Sequence, residues 1–131
     1  MPGQIVHIEI PADDTGRAKE FYSSIFDWQL NDADMGGGNM YTTLMTVPVD
    51  EQSRIPTEPG AINGGLMQRT KDTPAPVVTI GVDAIDDTLK KVEAGGGSVV
   101  QPRTEIPNMG AFAYFRDTEG NVVGLWKPVA G

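Results

Sequence analysis

The sequence holds no cysteine and a single histidine, His7. Without cysteine there are no disulfides, thiolate metal sites or cysteine nucleophiles, although the redox compartment stays open. Positive charge is also scarce, with 10 Lys and Arg against 18 Asp and Glu, a net charge of −8 and a pI near 4.4. Such a surface repels phosphate backbones and anionic lipid, so neither a nucleic-acid nor a membrane partner is expected. No apolar run approaches the roughly 18 residues of a spanning helix, and no basic stretch followed by an apolar one opens the chain. The expected location is the cytoplasm.

What is present suits a folded domain. The chain has 131 residues, 39% of them apolar, with 16 glycines and 10 prolines. That length supports one domain, 1–131, with a substantial core. The glycine and proline content favours many turns and short strands over a helix bundle.

The order of elements repeats. Val6, Ile8 and Ile10 alternate with His7 and Glu9, the period of a strand with two different faces, over Gln4 to Ile10. Asp13 or Asp14 can cap the helix that follows, where Ala18, Phe21, Tyr22 and Ile25 recur at the spacing of a buried stripe up to Phe26-Asp27. Short strands are predicted at Trp28–Leu30 and Ala61–Gln68 and a longer one at Met40–Val47, with a turn at Gly36–Gly38 and an exposed loop from Pro48 to Gly60. Thr70–Pro76 reads as a linker. The second half begins again with a strand at Val77–Val82 and a helix at about Ile85–Ala94, whose stripe is Ile85, Leu89 and Val92. Glycines follow it, and strands are predicted at Ser98–Val100, Ala111–Phe115 and Asn121–Trp126, with a tight turn at Asp117–Asn121. Each half is βαβββ: module one spans 1–70 and module two 71–131. The alternative is a single α+β sheet with two helices and no internal symmetry.

These residues resemble the vicinal oxygen chelate superfamily, which includes glyoxalase I, bleomycin-resistance proteins and extradiol dioxygenases. The carriers are VHIEIPADDTGRAKEFYSSIFDW, GAINGGLM, VTIGVDAIDDTLKKVEAGGGSVV and AFAYFRDTEGNVVGLW, covering nearly the whole chain. The resemblance implies an α+β fold of paired βαβββ modules, curled into a cup-shaped, partly open mixed barrel with helices outside. Metal-dependent members hold a divalent ion with residues from the first and last strand of each module. Carried over, those positions are His7, Gly64 or Gly65, Val77 (Thr79 if the register slips by two) and Gly124. Glycine and valine side chains donate no lone pair, and one imidazole falls short of the three or so protein ligands of a catalytic zinc-type site. No metal and no other cofactor is expected.

His7 and Glu9 share a strand face and are the candidate catalytic pair, since histidine exchanges protons near neutral pH and a half-buried glutamate can be tuned toward it. The competing reading is a histidine hydrogen-bonded in a pocket wall, with Glu9 reaching solvent or an arginine such as Arg116. A residual metal role would require a distant carboxylate such as Glu105 or a partner chain. Asp13, Asp14, Asp86 and Asp87 stand before two helices, where capping is the simpler role. Gly36–Gly38 and Gly95–Gly97 lack the spacing of phosphate loops.

Alternation places Phe112 and Tyr114 on one face of their strand, with Val122, Gly124 and Trp126 facing the same way on the last. Val123, Leu125 and Phe115 are then left for the core. Tyr41, Thr43 and Met45 share a face, and so do Gly65 and Met67. The candidate ligand-binding residues are Tyr41, Met67, Val77, Thr79, Phe112, Tyr114, Gly124 and Trp126, a soft, flat and mostly uncharged lining. The functional expectation is a metal-independent protein binding a small apolar or aromatic molecule. Its rival is a lyase, isomerase or dioxygenase of the same superfamily, using His7 and Glu9 as acid and base or an atypical divalent metal site. A homodimer is the expected assembly, because single-chain members commonly pair.

Overall fold

The computed structural model describes residues 3–34, 40–52 and 56–129. The chain falls into two units, one of His7–Pro76 and one of Val77–Gly131 with Met1–Val6. The N-terminal segment joins the second unit through backbone bonds from Gly3 N to Gly81 O at 2.7 Å and from Gly81 N to Gln4 O at 2.8 Å.

The first module runs β1 (Ile5–Ala12, its first two residues belonging to the second unit), α1 (Thr15–Phe26), β2 (Gln29–Asp34), β3 (Met40–Met45) and β4 (Gly64–Gln68). The strands lie in the order β2-β3-β4-β1, with β1 parallel to β4 and the other pairs antiparallel. Leu44 and Leu66, each 1% exposed, and Ala12 are among its buried apolar positions. Asp14 is the residue that caps α1, accepting from Arg17 N, while Asp13 pairs with Arg69 at 2.9 Å. The helix ends at Asp27 in the left-handed region, φ 59°, a conformation that Asp tolerates better than most residues.

The buried stripe expected on α1 is not buried. Phe21 and Ile25 are more than half exposed, and no α1 residue is buried. Instead Phe21, Tyr22, Phe26 and Trp28 satisfy one another: Tyr22 and Phe26 each stack on Trp28 with ring centroids 5.2 Å apart, and Phe21 meets Tyr22 edge-on. The expected turn at Gly36–Gly38 lies outside the described residues. Beyond β3, Val49 bridges to Pro56, and the Asn63 side chain accepts from the Thr46 and Val47 amides. This holds the loop that leads into β4.

The second unit repeats the plan with β5 (Val77–Gly81), α2 (Ile85–Ala94), β6 (Ser98–Ile106), β7 (Gly110–Arg116) and β8 (Val122–Pro128). Its strands lie in the order β5-β8-β7-β6, again with first and last strands parallel and the others antiparallel. Ile85 and Leu89 of α2 pack with Ala111, Ala113 and Leu125, and Ile80, Val82, Val99 and Phe115 cover that cluster. Asp86 and Asp87 lie inside the first turn rather than at the cap, which is Ala84, and there they complement the helix dipole. Gly96 takes φ +103° past the helix end, the conformation wanted of a C-terminal glycine.

β6 runs to Ile106, well beyond the predicted end at Val100. Pro102 has no amide to give, so the ladder with β7 shifts register on either side of Gln101 and then resumes. The predicted tight turn holds: Asp117 accepts from the amides of Glu119 and Asn121, both within 2.9 Å, and Gly120 has φ +87°. These bonds, led by those from Asn121, keep the Asp117 carboxyl below its ordinary range. The architecture is therefore α+β, made of two βαβββ modules. Among the described residues, no helix is long and apolar enough to cross a membrane.

Candidate functional site

The pairing register decides which side chains meet. In module one Glu9 lies beside Gly65 and Pro11 beside Met67, while Thr43 of β3 lies across from Gly65. Side chains of paired residues point to the same side of a sheet. His7, Glu9, Tyr41, Thr43, Gly65 and Met67 therefore share one face. Gly64 points the other way, against the Ile8 carbonyl, so Gly65 is the residue that corresponds to a ligand position.

Tyr41 occupies the space that a side chain at Gly65 would take. A Cβ built there would coincide with the phenol ring and its hydroxyl, a diagonal cross-strand reach that aromatic side chains make over glycine. The hydroxyl donates to Glu9 Oε2 at 2.8 Å and lies 3.2 Å from His7 Nε2. Glu9 is 9% exposed. It is thus largely shielded from solvent, and the Tyr41 hydroxyl is one of its hydrogen-bond partners. Burial lowers the His7 pKa from its ordinary value, with the Glu9 charge opposing part of that shift. His7 is thus a neutral imidazole near pH 7, able to accept or donate a hydrogen bond or take up a proton.

In module two Thr79 pairs with Gly124, Tyr114 with Gly124 and Phe112 with Trp126. Because Ala111, Ala113, Phe115 and Leu125 lie on the α2 side, alternation puts Phe112, Tyr114, Gly124 and Trp126 on the opposite face, together with Val77 and Thr79. Phe112 and Tyr114 meet edge-on with centroids 5.7 Å apart. Thr79 Oγ1 stands 2.7 Å from where a Gly124 Cβ would be, so a hydroxyl again covers the glycine.

The residues do not fit a divalent ion. At the module-one positions the donors are His7 alone, since Gly65 has none and its space is filled by the Tyr41 phenol. At the module-two positions Val77 and Gly124 offer none, and the neighbouring Thr79 gives only a neutral hydroxyl. Among the described residues, no three or more His, Asp and Glu side chains gather in a group able to hold a metal. Glu105 is no help. It is exposed and paired with Arg103 at 3.0 Å.

A separate cleft of about 290 Å³ runs along the start of α1, lined by Ile10, Asp14, Arg17, Phe21 and Arg69 among others. His7, Glu9 and Tyr41 do not line this cleft, which is therefore distinct from their cluster. The sequence placed His7 and Glu9 on one face and left the facing of Tyr41 open, so it missed that Tyr41 bridges the other two. The available signal was a glycine in one strand with an aromatic two residues from its cross-strand partner.

Comparison with known proteins agrees with this architecture. A family model described as Glyoxalase/Bleomycin resistance protein/Dioxygenase superfamily matches residues 4–125. The chain belongs to that superfamily. Among superfamily relatives, it is 32% identical over 121 residues to a protein called putative glyoxylase CFP32 in Mycobacterium tuberculosis, covering 92% of this chain and 44% of that protein. It thus spans less than half the length of that relative. A glyoxylase-like domain-containing protein of Didymella fabae is also 32% identical, over 126 residues that cover 92% of this chain and 91% of that one. In fold it is similar to a methylmalonyl-CoA epimerase in complex with methylmalonyl-CoA and ammonium, with a TM-score of 0.68, 16% identity and coverage of 99% and 97%.

Proposed function

We propose that this superfamily member binds a small apolar or aromatic molecule and does so without a metal ion. The observation that carries this reading is the Tyr41 phenol lying in the side-chain space of Gly65, where it engages both His7 and Glu9. A site whose ligand position is filled by its own tyrosine has exchanged metal donors for an internal hydrogen-bond chain. The face of Phe112, Tyr114 and Trp126 supports a flat, apolar ligand, since aromatic rings stack on such surfaces at low entropic cost.

The test begins with elemental analysis of tag-free protein dialysed without chelator. Metal well below one equivalent is expected, and a near-stoichiometric divalent ion would overturn the metal-free reading. A library of small aromatic compounds is then screened by tryptophan fluorescence. Trp126→Ala is expected to weaken any hit on the face of Phe112, Tyr114 and Trp126 at least about tenfold; unchanged affinity would remove Trp126 from the binding face.

A second reading, acid/base catalysis, draws on the neutral His7 joined through Tyr41 to the buried Glu9. It makes its own prediction: His7→Gln would abolish turnover and leave binding nearly intact.

A further inference from the structure

Tyr41 carries a single hydroxyl proton. It is given to Glu9 Oε2 at 2.8 Å, and a carboxylate can only accept. The phenol oxygen must then accept in its contact with His7 Nε2, 3.2 Å away. The proton in that contact belongs to the imidazole. A neutral imidazole carries one N–H, so placing it on Nε2 leaves Nδ1 with a lone pair. No hydrogen bond from a described residue reaches Nδ1.

We infer that the Tyr41–Glu9 pair holds His7 in its Nε2–H tautomer and leaves Nδ1 as an acceptor for the ligand, so that the site selects molecules carrying an O–H or N–H donor. This rests on the small-molecule reading above and names the ligand's chemistry: an aromatic compound with a hydroxyl or a ring N–H, such as a phenol or an N–H heteroaromatic. An unpaired acceptor in a half-buried position rewards such a donor and is left unsatisfied by its methylated counterpart. Burial of the imidazole, which disfavours the doubly protonated form, works in the same direction. Tyr41 is on this account a positioning residue whose phenol is committed to His7 and Glu9.

Because His7 is the only histidine, tag-free ¹⁵N-labelled protein yields one imidazole spin system, and its long-range ¹H–¹⁵N correlations report the tautomer directly. Near neutral pH the wild type is expected to show a pyrrole-like Nε2 and a pyridine-like Nδ1, favoured by about tenfold or more, and Tyr41→Phe to reduce that bias severalfold. A dominant Nδ1–H form in the wild type would overturn the inference without any variant. Phenol and anisole then serve as ligand probes. Phenol is expected to move the Nδ1 resonance toward a hydrogen-bonded position and to bind at least about fivefold more tightly than anisole. Quenching of tryptophan by phenol with Nδ1 unmoved, or equal binding of the two probes, would overturn donor selection and leave the binding reading standing. Neither quenching nor a shift with any probe or library compound would overturn both.

Discussion

The two modules share a plan and differ in what they put on it. Aligning them by their pairing registers, Glu9–Gly65 with Thr79–Gly124 and Thr43–Gly65 with Tyr114–Gly124, sets His7 against Val77, Tyr41 against Phe112 and Met67 against Trp126. The polar chain of His7, Tyr41 and Glu9 thus becomes Val77, Phe112 and Thr79 in module two. Both modules keep the glycine and a hydroxyl above it. The scaffold fixes where a side chain sits, and residue identity alone makes one face proton-bearing and the other apolar.

The strongest break in the comparison lies at Gly64, whose counterpart is Val123. A Cβ at Gly64 would strike the backbone carbonyl of Ile8, which cannot swing aside as a side chain can, whereas module two accommodates an isopropyl group at the same register. Gly64→Ala is expected to cost about 3–5 kcal/mol in denaturant unfolding, in the upper range for overpacking. A loss under 1 kcal/mol would show that β1 and β4 can separate locally. Val123→Ala is expected to cost about 1 kcal/mol or less.

The helices come next. Leu89 of α2 is 6% exposed within a cluster of buried side chains, while Ile25 of α1 is 55% exposed. Leu89→Ala is expected to destabilise by about 2–4 kcal/mol and Ile25→Ala by less than about 0.5. Comparable losses would mean that α1 is covered in solution by something the single chain does not provide.

Gly65→Ala should cost about 2–3 kcal/mol, because the Tyr41 ring must leave. Unlike the Gly64 clash, this one is relieved by a second substitution: combined with Tyr41→Ser, the loss is expected to fall by about 1 kcal/mol or more in a double-mutant cycle. Strict additivity would remove Tyr41 from the space over Gly65. The matching change, Gly124→Ala, meets only Thr79 Oγ1 at 2.7 Å and is expected to cost about 1–2 kcal/mol.

Tyr41→Phe makes module one resemble module two at a single atom. It leaves the buried Glu9 without its phenol donor, for an expected loss of about 1–2 kcal/mol. The reverse change, Phe112→Tyr, adds a hydroxyl with no carboxylate at the Thr79 position to receive it, and gains no stability. Stabilisation by Phe112→Tyr would show a polar partner on that face.

How much of this was legible in the residues follows the same division. Alternation revealed the strand faces, so His7 with Glu9 and Phe112 with Tyr114 and Trp126 were placed correctly, and the stripe of Ile85 and Leu89 found the anchored helix. The same rule failed on α1, where Phe21, Tyr22, Phe26 and Trp28 pack on one another rather than into a core. A periodic stripe records which residues align, not what covers them. β6 extends past the predicted end at Val100, because local register shifts carry the strand past Pro102. The Tyr41 bridge depends on cross-strand register, which connects residues 32 and 34 positions apart and leaves no trace in local pattern.

The smallest expected effect tests His7 itself, which has no titrating counterpart at Val77. Burial lowers its folded-state pKa below the ordinary 6.5, so between those two values the unfolded chain binds more protons than the folded one. Stability therefore rises with pH through that window, is complete above the ordinary value and is lost as pH falls toward the folded-state value. Asp32, lowered by hydrogen bonds from Thr42 and then Lys19, and Asp117 act in a separate range, losing their contribution only as pH falls below the ordinary 3.8. Wild type and His7→Gln unfolded side by side from pH 7.5 to 5 should diverge in slope, the wild type losing stability faster on acidification. Parallel slopes would mean that the imidazole is as well solvated as in the unfolded chain, and the chain from His7 through Tyr41 to Glu9 would then be open to water rather than held apart from it.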